Sequence, residues 1–85
     1  MKLLYCPSCD DVFKLDYQPR ICKCGDVIGH YFEDGLTAVY SKNGIPLGFN
    51  NSSLIEAINN QPESGMGKNF TAFVIPKQCP TMRVY

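Results

Sequence analysis

Cys6-Pro7-Ser8-Cys9 and Cys22-Lys23-Cys24-Gly25 decide how this chain folds. Lys2-Leu3-Leu4-Tyr5 and Val12-Phe13-Lys14-Leu15 are strand-like runs on either side of the first pair, which predicts a hairpin carrying two sulfurs at its tip. The second pair follows residues 17–21, and Gly25 is able to adopt the positive φ that such a loop often requires. Two loops bearing four thiolates satisfy a tetrahedral ion that takes soft ligands at about 2.0–2.3 Å. Cys6, Cys9, Cys22 and Cys24 are therefore read as the ligands of one zinc ion per chain. Four thiolates leave no open position for water, so the ion is expected to staple the fold and not to catalyse. Its removal is expected to unfold the first half of the chain.

The pattern Cys6-Pro7-x-Cys9 followed by Cys22-x-Cys24-Gly25 resembles the zinc-ribbon family, which includes small bacterial and phage-encoded ribbon proteins of unassigned role. The resemblance covers roughly residues 3–32 and implies a rubredoxin-like pair of knuckles around a structural ion. Two positions depart from the family pattern. Asp10 stands where the first knuckle usually has glycine, and the second knuckle is CxC. Both departures weigh against iron, because rubredoxins resemble a pair of CxxCG knuckles more closely. Buried free thiols acting as small apolar fillers are the plain alternative, and two tight pairs argue against it.

A chain of 85 residues has room for one domain, which buries only about 60–65% of the surface its unfolded form exposes. A core of that size is marginal alone, which is why a staple matters. A secretory signal needs an apolar run of roughly 7–15 residues, and the run after Lys2 is only Leu3, Leu4 and Tyr5. Nothing approaches the roughly 18 apolar residues of a membrane span. The expectation is a soluble cytoplasmic protein whose thiols stay reduced, with no membrane partner.

The formal charge is zero, but it is unevenly placed. Residues 1–34 hold four cationic and six acidic side chains, and residues 35–85 hold four and two. Four thiolates around zinc add a further two formal negative charges to the first half. An acidic ribbon facing a basic remainder is the expected pattern.

Beyond the ribbon, Leu36-Thr37-Ala38-Val39-Tyr40 and Ile45-Pro46-Leu47-Gly48-Phe49 flank Asn43-Gly44, the signal of a type I′ hairpin. Pro46 lacks a donor, which assigns its strand to a sheet edge. A short helix is predicted over 53–60, with Ser53 and Glu56 as a capping box, an apolar face of Leu54, Ile55 and Ile58, and Pro62 beyond its end. A flexible loop over 62–69 leads to Phe70-Thr71-Ala72-Phe73-Val74-Ile75, apolar enough for a central strand buried on both faces. Met82-Arg83-Val84-Tyr85 suits a last short strand. The fold class is α+β: a zinc ribbon over 1–34 packed with a small, mostly antiparallel sheet and one short helix over 35–85, as a single domain.

Several other residues invite chemistry. His30, six residues after Cys24, is a spare metal ligand or a hydrogen-bonded histidine at a strand end; the complete thiolate shell favours the second. Cys79 is the odd thiol, read as a filler, with a thiol enzyme using Cys79 and His30 as the minor alternative. Gly65-Met66-Gly67-Lys68 is a connector, because it leaves a helix for a strand, the reverse of a phosphate loop. No paired acid and base and no cofactor fingerprint is present, so the expected function is non-enzymatic: a protein-interaction adaptor or regulator whose partner presents a basic surface. The alternative is a transcription-associated ribbon that binds nucleic acid through Lys14, Arg20 and Lys23 together with exposed tyrosines.

Overall fold

The computed structural model describes residues 1–85. In chain order the elements are β1 (Lys2–Tyr5), β2 (Val12–Lys14), β3 (Arg20–Ile21), β4 (Ile28–Tyr31), β5 (Ala38–Tyr40), β6 (Ile45–Phe49), α1 (Asn51–Asn59), β7 (Ala72–Val74) and β8 (Met82–Val84). They form two four-stranded sheets, ordered β2-β1-β6-β7 and β3-β4-β5-β8. All ladders are antiparallel except β5 with β8, so the α+β class with one short helix is what forms. Each sheet takes two strands from residues 1–34 and two from residues 35–85.

The predicted first hairpin is present, with Leu3 opposite Lys14, Leu4 opposite Phe13 and Tyr5 opposite Val12. Alternation along it buries Leu4, Phe13 and Leu15, and β5 contributes Ala38 and Tyr40 from the other sheet. These side chains meet Cys6, Cys22, Val27, Ile75 and Met82 in one apolar cluster.

The Asn43-Gly44 segment does not make the expected hairpin. It carries the chain from β5 in one sheet to β6 in the other, and neither residue has positive φ. Gly44 is needed for a different reason: a Cβ there would lie 2.8 Å from Val27 Cγ1. The turn is closed by Gly44 N–H donating to Ser41 O at 2.9 Å.

The assignment of β6 to an edge is also overturned, because β6 lies between β1 and β7. Phe49 N–H donates to Met1 O, so odd-numbered residues of β6 bond towards β1 and even-numbered ones towards β7. Pro46 therefore removes nothing from the β1 ladder. Towards β7 its carbonyl still accepts from Ile75 N–H at 2.9 Å, and only the reciprocal bond is absent.

Correspondingly, the apolar run over 70–75 is an edge strand and not a buried centre. Ala72, Phe73 and Val74 are all exposed, and only Ile75 reaches the core. Two rings of this run pack across the ladder onto β6 instead. Phe73 lies over Gly48, where a Cβ would meet its Cζ at 2.5 Å, and Phe70 packs edge-on against Phe49 at a centroid separation of 5.1 Å.

Helix α1 begins earlier than predicted. Asn50, not Ser53, is the N-cap, its side chain accepting from Ser53 N–H at 2.9 Å. Ser53 Oγ instead accepts from Thr71 N–H, and Glu56 pairs with Lys68 at 2.7 Å rather than closing a capping box. No residue of α1 is buried, and Ile55 and Ile58 face solvent. No helix is long and apolar enough to cross a membrane.

Gly29 marks the tightest approach within the core. A Cβ there would lie 2.7 Å from Leu4 Cδ1 and 2.9 Å from the Val39 carbonyl oxygen. Gly29→Ala is expected to lower the unfolding free energy by about 1–3 kcal/mol through overpacking. Gly67→Ala, in open space, is the control and should change stability by less than about 0.5 kcal/mol. Urea denaturation of the two variants checks both values.

Candidate metal centre

Each sheet presents one knuckle. The turn between β1 and β2 carries Cys6 and Cys9, and the turn between β3 and β4 carries Cys22 and Cys24. In the first, Cys6 N–H donates to Asp11 O at 2.9 Å and Asp10 N–H to Cys6 O at 2.8 Å. Asp10 has φ 60°, the only non-glycine residue with positive φ. It holds the left-handed position that glycine usually takes, which aspartate tolerates better than most residues. Its carboxylate also accepts a hydrogen bond from the Tyr5 hydroxyl. In the second knuckle Gly25 has φ 85° as expected, and its N–H donates to Cys22 O.

The four sulfurs lie within 4.8 Å of one another. Cys6 Sγ and Cys24 Sγ are 3.6 Å apart, and Cys22 Sγ and Cys24 Sγ are 3.5 Å apart. An ion with four sulfurs at about 2.3 Å in a tetrahedron requires edges of about 3.8 Å, so the donor set fits a tetrahedral thiolate centre. Cys6 and Cys22 are buried, Cys9 is half-buried and Cys24 is exposed at the rim.

The clustered thiols do not lose their protons independently. Desolvation, the largest influence on Cys22, raises its thiol pKa. The Val27 N–H at 3.3 Å, the neighbouring thiols of Cys6 and Cys24 and the Gly25 N–H outweigh it and bring the value down to about 6. Cys24 moves the other way: the Asp26 N–H lowers its pKa, but burial and the sulfurs of Cys22, Cys6 and Cys9 push it up to about 12. Burial likewise raises Cys6. One proton leaves readily and the last does not, as expected of thiols packed close enough to titrate as a group.

Polar ties lock the knuckles to each other. Ser8 Oγ donates to Asp26 Oδ2 at 2.8 Å, and Lys23 N–H donates to Asp11 Oδ2 at 3.0 Å. Asn43 Nδ2 donates to Asp26 O, joining the β5–β6 turn to the second knuckle. From sequence, Asp11 is a turn former and a charge and Asp26 only a charge. Their positions two residues after Cys9 and Cys24 are the available signal that they accept from a backbone N–H and a hydroxyl.

The remaining candidates lie outside the cluster. His30 Nδ1 is 3.0 Å from the Tyr85 hydroxyl, and Cys79 Sγ is 3.4 Å from Thr81 Oγ1. No hydrogen bond links the two. The Thr81 hydroxyl and amide, with Lys2 nearby, lower the Cys79 pKa. Lys68 of the glycine-rich loop is held by Glu56, and this is the sole salt bridge of the chain. Among the tyrosines, Tyr40 is buried, Tyr31 OH accepts from Lys2 N–H at 3.0 Å, and Tyr17 and Tyr85 remain exposed.

No protein-family model matches the chain, and neither does any curated protein or solved structure. The reading of this centre rests on its own geometry. Asp10→Val should destabilise the first knuckle by about 1–2 kcal/mol, because a β-branched residue resists positive φ, whereas Asp10→Gly should lose much less. Thermal unfolding of the two variants compares them.

Proposed function

We propose that Cys6, Cys9, Cys22 and Cys24 hold one structural zinc ion and that the protein is a non-enzymatic adaptor or regulator. The carrying observation is a set of four sulfurs, all within 4.8 Å, that completes a tetrahedral shell from protein alone. A closed thiolate shell gives the ion no position for substrate, so what it supplies is cohesion between the two knuckles. The thiolate-only donor set suits zinc, and the CxC knuckle fits it better than iron. Because each sheet mixes both halves of the chain, losing the ion should loosen both sheets and not the first 34 residues alone.

The purified chain should contain about one zinc. Cys22→Ser should lower affinity by more than about a hundredfold, since changes to outer partners alone cost about 10–100-fold. Metal analysis and chelator competition measure both. The pH dependence follows from the thiols. Zinc binds the deprotonated forms, so protons compete increasingly as pH falls, and below about 6 even Cys22 is protonated in the metal-free centre. Zinc release, followed with a chromogenic chelator, should therefore rise on acidification and be small above pH 7. Retention of full zinc affinity at pH 5 would contradict the assignment.

The acidic ribbon supports a partner with a basic surface, met through complementarity that acts mainly on association rate. Capture should weaken as salt rises and be lost on Asp16→Lys with Glu33→Lys, two exposed carboxylates of the ribbon, while Lys68→Ala retains the partner. Binding of DNA or RNA with a steep salt dependence would favour the nucleic-acid reading instead. Turnover abolished by Cys79→Ser in a folded protein would favour the thiol-enzyme reading.

A further inference from the structure

A cleft of about 480 Å³ opens where the two sheets meet beside the first knuckle. Its apolar lining includes Pro7, Ile45, Val74 and Val84, and its polar lining includes Lys42 and Lys77. No carboxylate lines it. Neither lysine has a salt-bridge partner, since the only ion pair of the chain is between Lys68 and Glu56. One side of the wall is anchored to the second knuckle. Pro7 follows Cys6 directly, Gly44 is packed on Val27, and Asn43 is bonded to Asp26 O of the second knuckle.

We propose that this cleft binds a small organic anion with an apolar body, of the class of a medium-chain alkyl or aryl carboxylate. Size supports the assignment, because small-molecule sites span about 300–1,000 Å³ and are mostly apolar with a few convergent polar groups. Charge supports it independently. Two unpaired cations on an otherwise largely apolar lining with no acidic side chain attract an anion and repel an amine of the same shape. Ile45 and Val84 are exposed hydrophobic residues that the fold leaves uncovered at this place, and an alkyl or aryl body removes their surface from water. This inference stands apart from the metal assignment and from the adaptor reading.

The test uses the full chain as isolated, with octanoate, octanol, octylamine and inorganic phosphate as probes. Amide chemical-shift mapping should show octanoate shifting Ile45, Val74 and Val84 and leaving Ile55 and Ile58 of α1 unmoved. The double variant Lys42→Glu with Lys77→Glu should bind octanoate at least about tenfold more weakly. Both lysines are exposed, so the exchange should leave the fold intact, which the dispersion of the remaining amide signals verifies. Octanol or octylamine binding as tightly as octanoate would overturn the role of charge, and phosphate binding as tightly would overturn the role of the apolar lining. No shift in the cleft, or octanoate shifts centred on α1, would overturn the site itself.

Discussion

Two knuckles from two different sheets bring their sulfurs to one point, and most of the architecture depends on that meeting. The cluster is not appended to a core; Cys6 and Cys22 belong to the core, packed with Leu4, Leu15 and Val27. Each sheet is small, with strands of two to five residues. Sheets so short have little apolar area to hold them face to face, and a chain of this length is near the lower limit for a self-sufficient core. The four cysteines tie the two sheets together at one point, and an ion held by them would act on both sheets at once. Ser8, Asp11, Asp26 and Asn43 extend the same junction with hydrogen bonds that cross between knuckles and turns.

The local features of the ribbon were legible in the residues. Paired cysteines, the β1–β2 hairpin and the positive φ of Gly25 follow from spacing and turn chemistry, and the structure brings the four thiols together. Sheet membership was not legible. Asn43-Gly44 carries a strong hairpin signal, yet β6 pairs with β1 and β7 in the other sheet, and Gly44 is packed against Val27. Pro46 signals an edge, but hydrogen-bond parity places its missing donor at the end of the β7 ladder, where the loss is one bond. Local sequence states what a residue cannot donate; it does not state which neighbour it faces.

The apolar run over 70–75 misled for a related reason. Hydrophobicity there sets Phe73 over Gly48 and Phe70 against the ring of Phe49, and does not fill a centre. Phe73 over Gly48 supplies from across the ladder the side chain that the glycine lacks, a recognised device for stabilising a glycine in a strand. At the helix, Asn50 and Ser53 compete for one cap. Asn50 takes it and caps the Ser53 N–H, while the Ser53 hydroxyl accepts from Thr71, which ties α1 to the approach of β7. In each case a distant partner outweighs a sound local preference.

The interleaving of the two halves has a consequence for how the chain acquires its structure during synthesis. The cysteine loop closes over 18 residues and is complete once residue 24 has emerged, so it is available as an early local nucleus. Neither sheet can be finished then. One awaits β7, and the other awaits β8, whose parallel pairing with β5 joins Ala38 to Met82. Until those last strands arrive, the outer edges of β5 and β6 stand open with unpaired backbone groups. A nascent chain therefore leaves the edges of β5 and β6 open to strand-mediated association until β7 and β8 emerge.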